Sequence, residues 1–220
     1  MTGFGGALVI APALFATLEP PQAVVTVVLI GLVQSGVMAV HGRADVLRAE
    51  LGPLLAAAVP GLFVGAFVLR VASASALRVS VGVAVLGAVA AQAALRGLSV
   101  SRRVAPSVGF LTGALTTSVT INGPPMVLYL RGRGASPAET RATLGAAFVG
   151  LAVLALVPLA VTDTLQLPPL TSLAALGVAL PLGLAGGIWI APRIPDAIHA
   201  RASTLLLVAL GVASIVGGLR

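Results

Sequence analysis

The chain has 220 residues, 58% hydrophobic and 9% charged, with a mean hydropathy of +1.11. Its +7 charge is carried by 13 Arg and no Lys, clustered between apolar runs, so it reports membrane topology rather than nucleic-acid binding. Long apolar runs without the alternating segments of a β-barrel define an all-α integral membrane protein, and the absence of Cys excludes disulfides, thiolate chemistry and Fe–S ligands.

Apolar spans are predicted at residues 5–18, 23–40, 51–69, 79–95, 104–121 (continuing brokenly to 130), 142–161, 171–190 and 202–219, about eight segments in all. The connectors are too short to house a soluble domain. The first span opens on Thr2-Gly3-Phe4-Gly5-Gly6 and carries Pro12. In the second, Gln34 is the only large polar group near a helix centre, and its amide either lines a cavity or cross-links two helices. The third carries Pro60, a predicted kink, and a GxxxG pair, Gly61 and Gly65, expected to pack helices closely. The fifth ends in the hydroxyl cluster Thr116, Thr117, Ser118 and Thr120, followed by the break Asn122-Gly123-Pro124-Pro125. The seventh repeats the pattern of the third with Pro181, Gly183 and Gly187.

These features recur in order. Gly6, Pro20 and Thr26 match Gly123, Pro137 and Thr143, and later Ala58, Pro60 and Gly65 match Ala179, Pro181 and Gly186. The chain therefore reads as one membrane domain of two repeats, 1–100 and 101–220, with a broken or re-entrant segment at the start of each. The second repeat has an apolar run, 104–121, ahead of its break; the first has none, so it is expected to be incomplete at its N-terminus.

Arginine placement bears on repeat orientation. If every segment crosses, the loops carry 7 Arg on one side and 6 on the other. If each break turns the chain back as a hairpin, the split becomes 10 against 3, with Arg70, Arg78 and Arg220 in the minority, and the repeats are inverted. The positive-inside rule favours the second arrangement.

Irregular backbone at membrane depth survives only where protein or water satisfies it, so paired breaks point to a substrate site. Glycines admit close approach of a ligand, and the first turn of a half-helix presents N–H groups and the positive end of a dipole to an anion. Gly3, Gly5, Gly6, Thr117, Ser118, Thr120, Asn122, Gly123 and Gln34 are the candidate substrate-binding residues. The alternative is that the glycines only pack helices and the hydroxyls bond their own helix carbonyls. No Asp or Glu lies inside a span, which suits an anion path. Glu19 and Glu139, in equivalent connectors, are assigned to helix starts beside Pro20 and Pro137.

The chain lacks the residues of an intramembrane enzyme: a Ser–His pair at depth, two buried Asp, or an H-E-x-x-H arrangement. His41 and His199 stand alone at helix ends, so neither a metal site nor another cofactor is expected. The non-enzymatic alternative to a transporter is a membrane scaffold or assembly subunit.

The Gly3-Phe4-Gly5-Gly6 start with Pro12 and Leu14, the Asn122-Gly123-Pro124-Pro125 sequence and the two-fold repeat resemble the TauE/SafE family of sulfite and organosulfonate transporters. The resemblance covers essentially the whole chain. It implies a permease for a small anion, sulfite or an organosulfonate, working by alternating access between the broken segments of the two repeats. The partners implied are that anion and the lipid bilayer, with no nucleic acid; a homo-oligomer is compatible with it. Arg without Lys in an Ala-rich chain matches a prokaryotic, high-GC coding bias, hence a prokaryotic inner membrane.

Overall fold

The computed structural model describes residues 5–94, 99–170 and 196–219, and among them the ordered structure is entirely helical. The helices are α1 (Gly5–Thr17), α2 (Pro20–His41), α3 (Arg48–Val71), α4 (Ala74–Ala94), α5 (Ala105–Ser118), α6 (Gly123–Gly132), α7 (Pro137–Val161) and α8 (Asp196–Leu219). The span expected at 171–190, with Pro181, Gly183 and Gly187, lies outside the described residues, as do Gly3 and the side chains of His41 and His199.

Four helices are long and apolar enough to cross a bilayer: Pro20–Val40, Arg48–Val71, Ala74–Gln92 and Pro137–Val161, with mean hydropathies of 2.3, 2.1, 1.8 and 2.5. The 24 residues of α3 extend roughly 36 Å, whereas the 14 of α5 and 10 of α6 reach only about 21 and 15 Å. Neither α5 nor α6 spans alone. Val33, Phe67 and Val157 on the long helices are more than half exposed, the signature of surfaces solvated by acyl chains rather than water.

The helix starts follow local chemistry. Ser136 caps α7 with a reciprocal box: its Oγ accepts from the Glu139 N–H at 3.2 Å, and the Ser136 N–H donates to Glu139 Oε2 at 2.8 Å, with Pro137 in the first turn. Glu19 differs from Glu139. It is the N-cap of α2, ahead of Pro20, and its side chain makes no capping bond. Pro60 sits inside α3, which continues through it.

The segment 100–132 is a hairpin. Helix α5 stops at Ser118, the chain turns through Val119–Asn122 with Thr120 at φ 63°, and α6 begins at Gly123. The Val100 N–H, just before the hairpin, donates to the Gly132 carbonyl at its end at 2.8 Å, so both feet stand at one level. Tyr129 Oη donates to Glu50 at the start of α3, and Arg133 Nη2 lies 3.3 Å from the same carboxylate. The start of α3 is also fixed to α7 by the Leu47 N–H bonding Thr143 Oγ1 at 2.9 Å.

These contacts define two ends. At the Glu50 end lie the C-terminus of α2, the N-termini of α3 and α7, and the hairpin feet. At the opposite end, Arg70 on α3 faces Asp163 beyond α7 at 3.9 Å, Arg78 Nε on α4 donates to the Phe15 carbonyl of α1, and Ser214 of α8 bonds the Arg78 carbonyl. Arg43, Arg48, Arg102, Arg103, Arg131, Arg133 and Arg141 stand at the Glu50 end; among the described arginines only Arg70 and Arg78 stand at the other. The all-crossing arrangement is therefore replaced by one in which 100–132 goes in and returns.

Helices α2 and α7 pack antiparallel, as do α4 and α8; α3 and α5 run parallel in the most extensive contact among the described helices. That contact is a mutual glycine interlock. Cβ atoms on Gly61 and Gly65 would fall onto the Phe110 and Ala114 carbonyls, and Cβ atoms on Gly109 and Gly113 onto those of Leu54 and Ala58. The expected packing role of Gly61 and Gly65 is thus observed, joining the first half of the chain to the second.

Candidate functional site

Where the hairpin turns, it opens on a cavity of about 50 Å³. Its described lining comes from three places: Val27, Val28, Gly31, Gln34 and Ser35 in the middle turns of α2; Thr116, Thr120 and Asn122 at the hairpin turn; and Phe148 and Ala152 halfway along α7. Since α2 and α7 are antiparallel and of membrane length, the cavity lies near the midplane of the helical layer.

The turn is built by sequence. Pro124 and Pro125 have no N–H, so a helix cannot run through them from α5, yet they suit the first turn of α6. Their presence leaves Gly123 and Met126 as the N–H groups of that turn. Thr120, buried, takes the left-handed φ of 63° that β-branched residues avoid, and its Oγ1 donates to the Val119 carbonyl at 2.6 Å. Asn122 Nδ2 donates to Thr116 Oγ1 at 3.0 Å, and that hydroxyl donates to the Thr112 carbonyl at 2.7 Å. The chain of bonds fixes the Asn122 carboxamide at the cavity wall with its second amide hydrogen and its oxygen uncommitted among the described residues.

The predicted residues divide accordingly. Gln34, Thr120 and Asn122 converge on the cavity, and Gly123 starts the helix directly behind Asn122. Thr117 and Ser118 are engaged elsewhere: Thr117 Oγ1 donates to the Leu62 carbonyl of α3 at 2.7 Å, and Ser118 Oγ to the Ala114 carbonyl of its own helix at 2.6 Å. For these two hydroxyls the backbone-bonding alternative is what the geometry contains. Gly5 and Gly6 open α1, whose neighbours are α2, α4 and α8. Sequence reasoning missed Ser35, buried one residue beyond Gln34, and Gly31, where an added Cβ would meet nothing within 4 Å. The i, i+3, i+4 spacing of Gly31, Gln34 and Ser35 was the available signal.

Among the described residues no charged side chain belongs to this lining. Its polar complement is hydroxyls and carboxamides facing apolar Val27, Val28, Phe148 and Ala152, under the N-terminal end of α6. Neutral donors and a positive helix end suit a small anion.

A second polar cluster holds the hairpin feet. Glu50, buried, accepts from Tyr129 and pairs with Arg133, while Arg102 Nε lies 3.9 Å from its carboxylate and Arg102 Nη2 donates to the Ala49 carbonyl at 2.5 Å.

The family described as "Sulfite exporter TauE/SafE" matches residues 1–214 of the chain. Neither the curated proteins nor the solved structures give a significant match.

Proposed function

The chain belongs to the TauE/SafE family of sulfite exporters, a family of multi-pass membrane transporters, and on that premise we propose that it is a permease for sulfite or an organosulfonate, working by alternating access in a prokaryotic inner membrane. The observation that carries the reading is the hairpin turn at Thr120–Asn122 opening into a neutral, polar cavity between two antiparallel helices of membrane length, one from each half of the chain. Anions meet hydrogen-bond donors and a helix N-terminus there, with no carboxylate in the described lining to repel them.

The two halves act as inverted repeats, 1–100 and 101–220. Support comes from direction: α2 and α7, and likewise α4 and α8, hold corresponding places in the two halves and run oppositely. Alternating access about the cavity exposes the site to each side in turn. The arginine-rich Glu50 end faces the cytoplasm.

Reconstitution into proteoliposomes tests the reading. Radiolabelled sulfite or methanesulfonate should enter saturably, above protein-free vesicles. Asn122→Leu should weaken apparent affinity about ten- to a hundredfold, the equivalent of one hydrogen bond to a charged group at ~1.5–3 kcal/mol. Uptake indistinguishable from protein-free vesicles overturns the transport assignment, and wild-type uptake by Asn122→Leu overturns the site.

A further inference from the structure

We infer that the cavity selects its ligand by charge state and admits the singly charged form of a compact oxyanion, hydrogen sulfite rather than the sulfite dianion. The inference rests on the anion-permease reading and deepens it. Burying an ion in a site with no counter-charge is the dominant cost of binding it, and in a continuum that cost grows as the square of the charge, so a dianion is penalised about fourfold over a monoanion of equal size. A positively charged side chain offsets that cost most directly, while fixed N–H and O–H dipoles offset it in part.

The described lining of the cavity carries no charged side chain; its available donors are the side chains of Asn122, Gln34 and Ser35, the Thr116 hydroxyl being given to the Thr112 carbonyl. A helix N-terminus adds roughly half a positive charge. On the elements that form the cavity, the charged residues stand at the ends: Glu19 before α2 and His41 at its close, Arg102 and Arg103 before α5, Arg131 and Arg133 at the end of α6, Glu139 and Arg141 in the first turns of α7 and Asp163 beyond its last, while the Tyr129 hydroxyl of α6 is given to Glu50 at the hairpin foot. Seven residues separate Gln34 from His41 and Arg141 from Phe148, about 10 Å along each helix, so these charges act across a gap rather than by contact. A protonated oxygen on the ligand is moreover a donor, and the uncommitted carboxamide oxygen of Asn122 and the Gln34 side chain give it an acceptor.

The test is competition against radiolabelled sulfite uptake in proteoliposomes at a mildly acidic and a mildly alkaline pH, with protein-free vesicles subtracted. The competitors are methanesulfonate, a monoanion throughout, and sulfate, a dianion throughout. Apparent affinity for total sulfite should weaken about tenfold for each pH unit above the ionisation of hydrogen sulfite, while inhibition by methanesulfonate stays constant across the same range. That constancy assigns the change to the ligand rather than to a protein group. Sulfate should compete at least tenfold more weakly than methanesulfonate. Sulfate competing as well as methanesulfonate, or pH-independent affinity for total sulfite, overturns the charge-state inference and leaves anion transport standing; absence of saturable uptake of any of these ions overturns both.

Discussion

The Val100 N–H and the Gly132 carbonyl lie 2.8 Å apart, thirty-two positions apart in sequence, and that single bond requires the intervening chain to return to the level at which it started. Helix α5 alone is about 21 Å long, too short for a bilayer of roughly 30 Å, so the turn at Thr120 stops at membrane depth. Only protein or water can satisfy the backbone there, and the cavity sits at that point.

Side-specific labelling follows from the hairpin. Cysteines placed singly at Ala44, Ala135 and Gln166 in this Cys-free chain should divide two against one. Ala44 lies in the turn that packs on the start of α7 and Ala135 just precedes that helix, whereas the exposed Gln166 follows its far end, 25 helical residues away. An impermeant maleimide should label Ala44→Cys and Ala135→Cys from one side of the membrane and Gln166→Cys from the other. Shared labelling of Ala44→Cys and Gln166→Cys contradicts the fold.

Two glycines separate packing from the site. At Gly65 a Cβ would run into the Ala114 carbonyl and Thr117 Oγ1; at Gly31 it would meet nothing within 4 Å. Gly65→Ala should force α3 and α5 apart and lower the melting temperature in detergent, at about 1–3 kcal/mol for overpacking. Gly31→Ala should hold or slightly raise stability, since Ala is favoured over Gly in a helix by roughly 1 kcal/mol, yet reduce uptake by narrowing the cavity. Equal melting temperatures for the two variants would refute the interlock.

Spans and the second break were legible because their signals are local. Hydropathy marked α2, α3, α4 and α7 to within a few residues, and Pro124-Pro125 after Asn122 marked where a helix must restart. Faces were less legible. Helix α2 is apolar nearly all round, so no moment told that Gly31, Gln34 and Ser35 share the cavity side. Thr116 and Thr117 are chemically identical neighbours about 100° apart on α5; one supports Asn122, the other bonds α3, and only the position of α3 decides which. The Glu50–Tyr129 contact spans 79 positions, beyond any local pattern.

That contact carries its own expectation. Tyr129 is almost fully buried, and its hydroxyl donates to a carboxylate also held by Arg133. Tyr129→Phe should loosen the hairpin foot, costing about 1–2 kcal/mol, and open amides near Gly132 to faster hydrogen exchange without abolishing uptake. Unchanged exchange at the foot would mean that the Val100–Gly132 bond and the arginines suffice.

Thr120 offers the sharpest separation of stability from function. Its φ of 63° costs a β-branched residue roughly 1–3 kcal/mol, a strain that glycine does not feel, while glycine gives up about 0.5–1 kcal/mol through the greater freedom of the unfolded chain. Thr120→Gly should therefore leave a net gain near 1 kcal/mol and raise the melting temperature. The same change removes a hydroxyl and a methyl from the cavity wall, so uptake should weaken while the protein becomes more stable. Thr120→Ala is the control: it removes the hydroxyl and keeps a Cβ at positive φ, so it should lose uptake without the full stability gain. If Thr120→Gly gains stability and transports like the parent, the strained turn shapes the hairpin alone; if it loses stability, the left-handed backbone at Thr120 is not the strain inferred here.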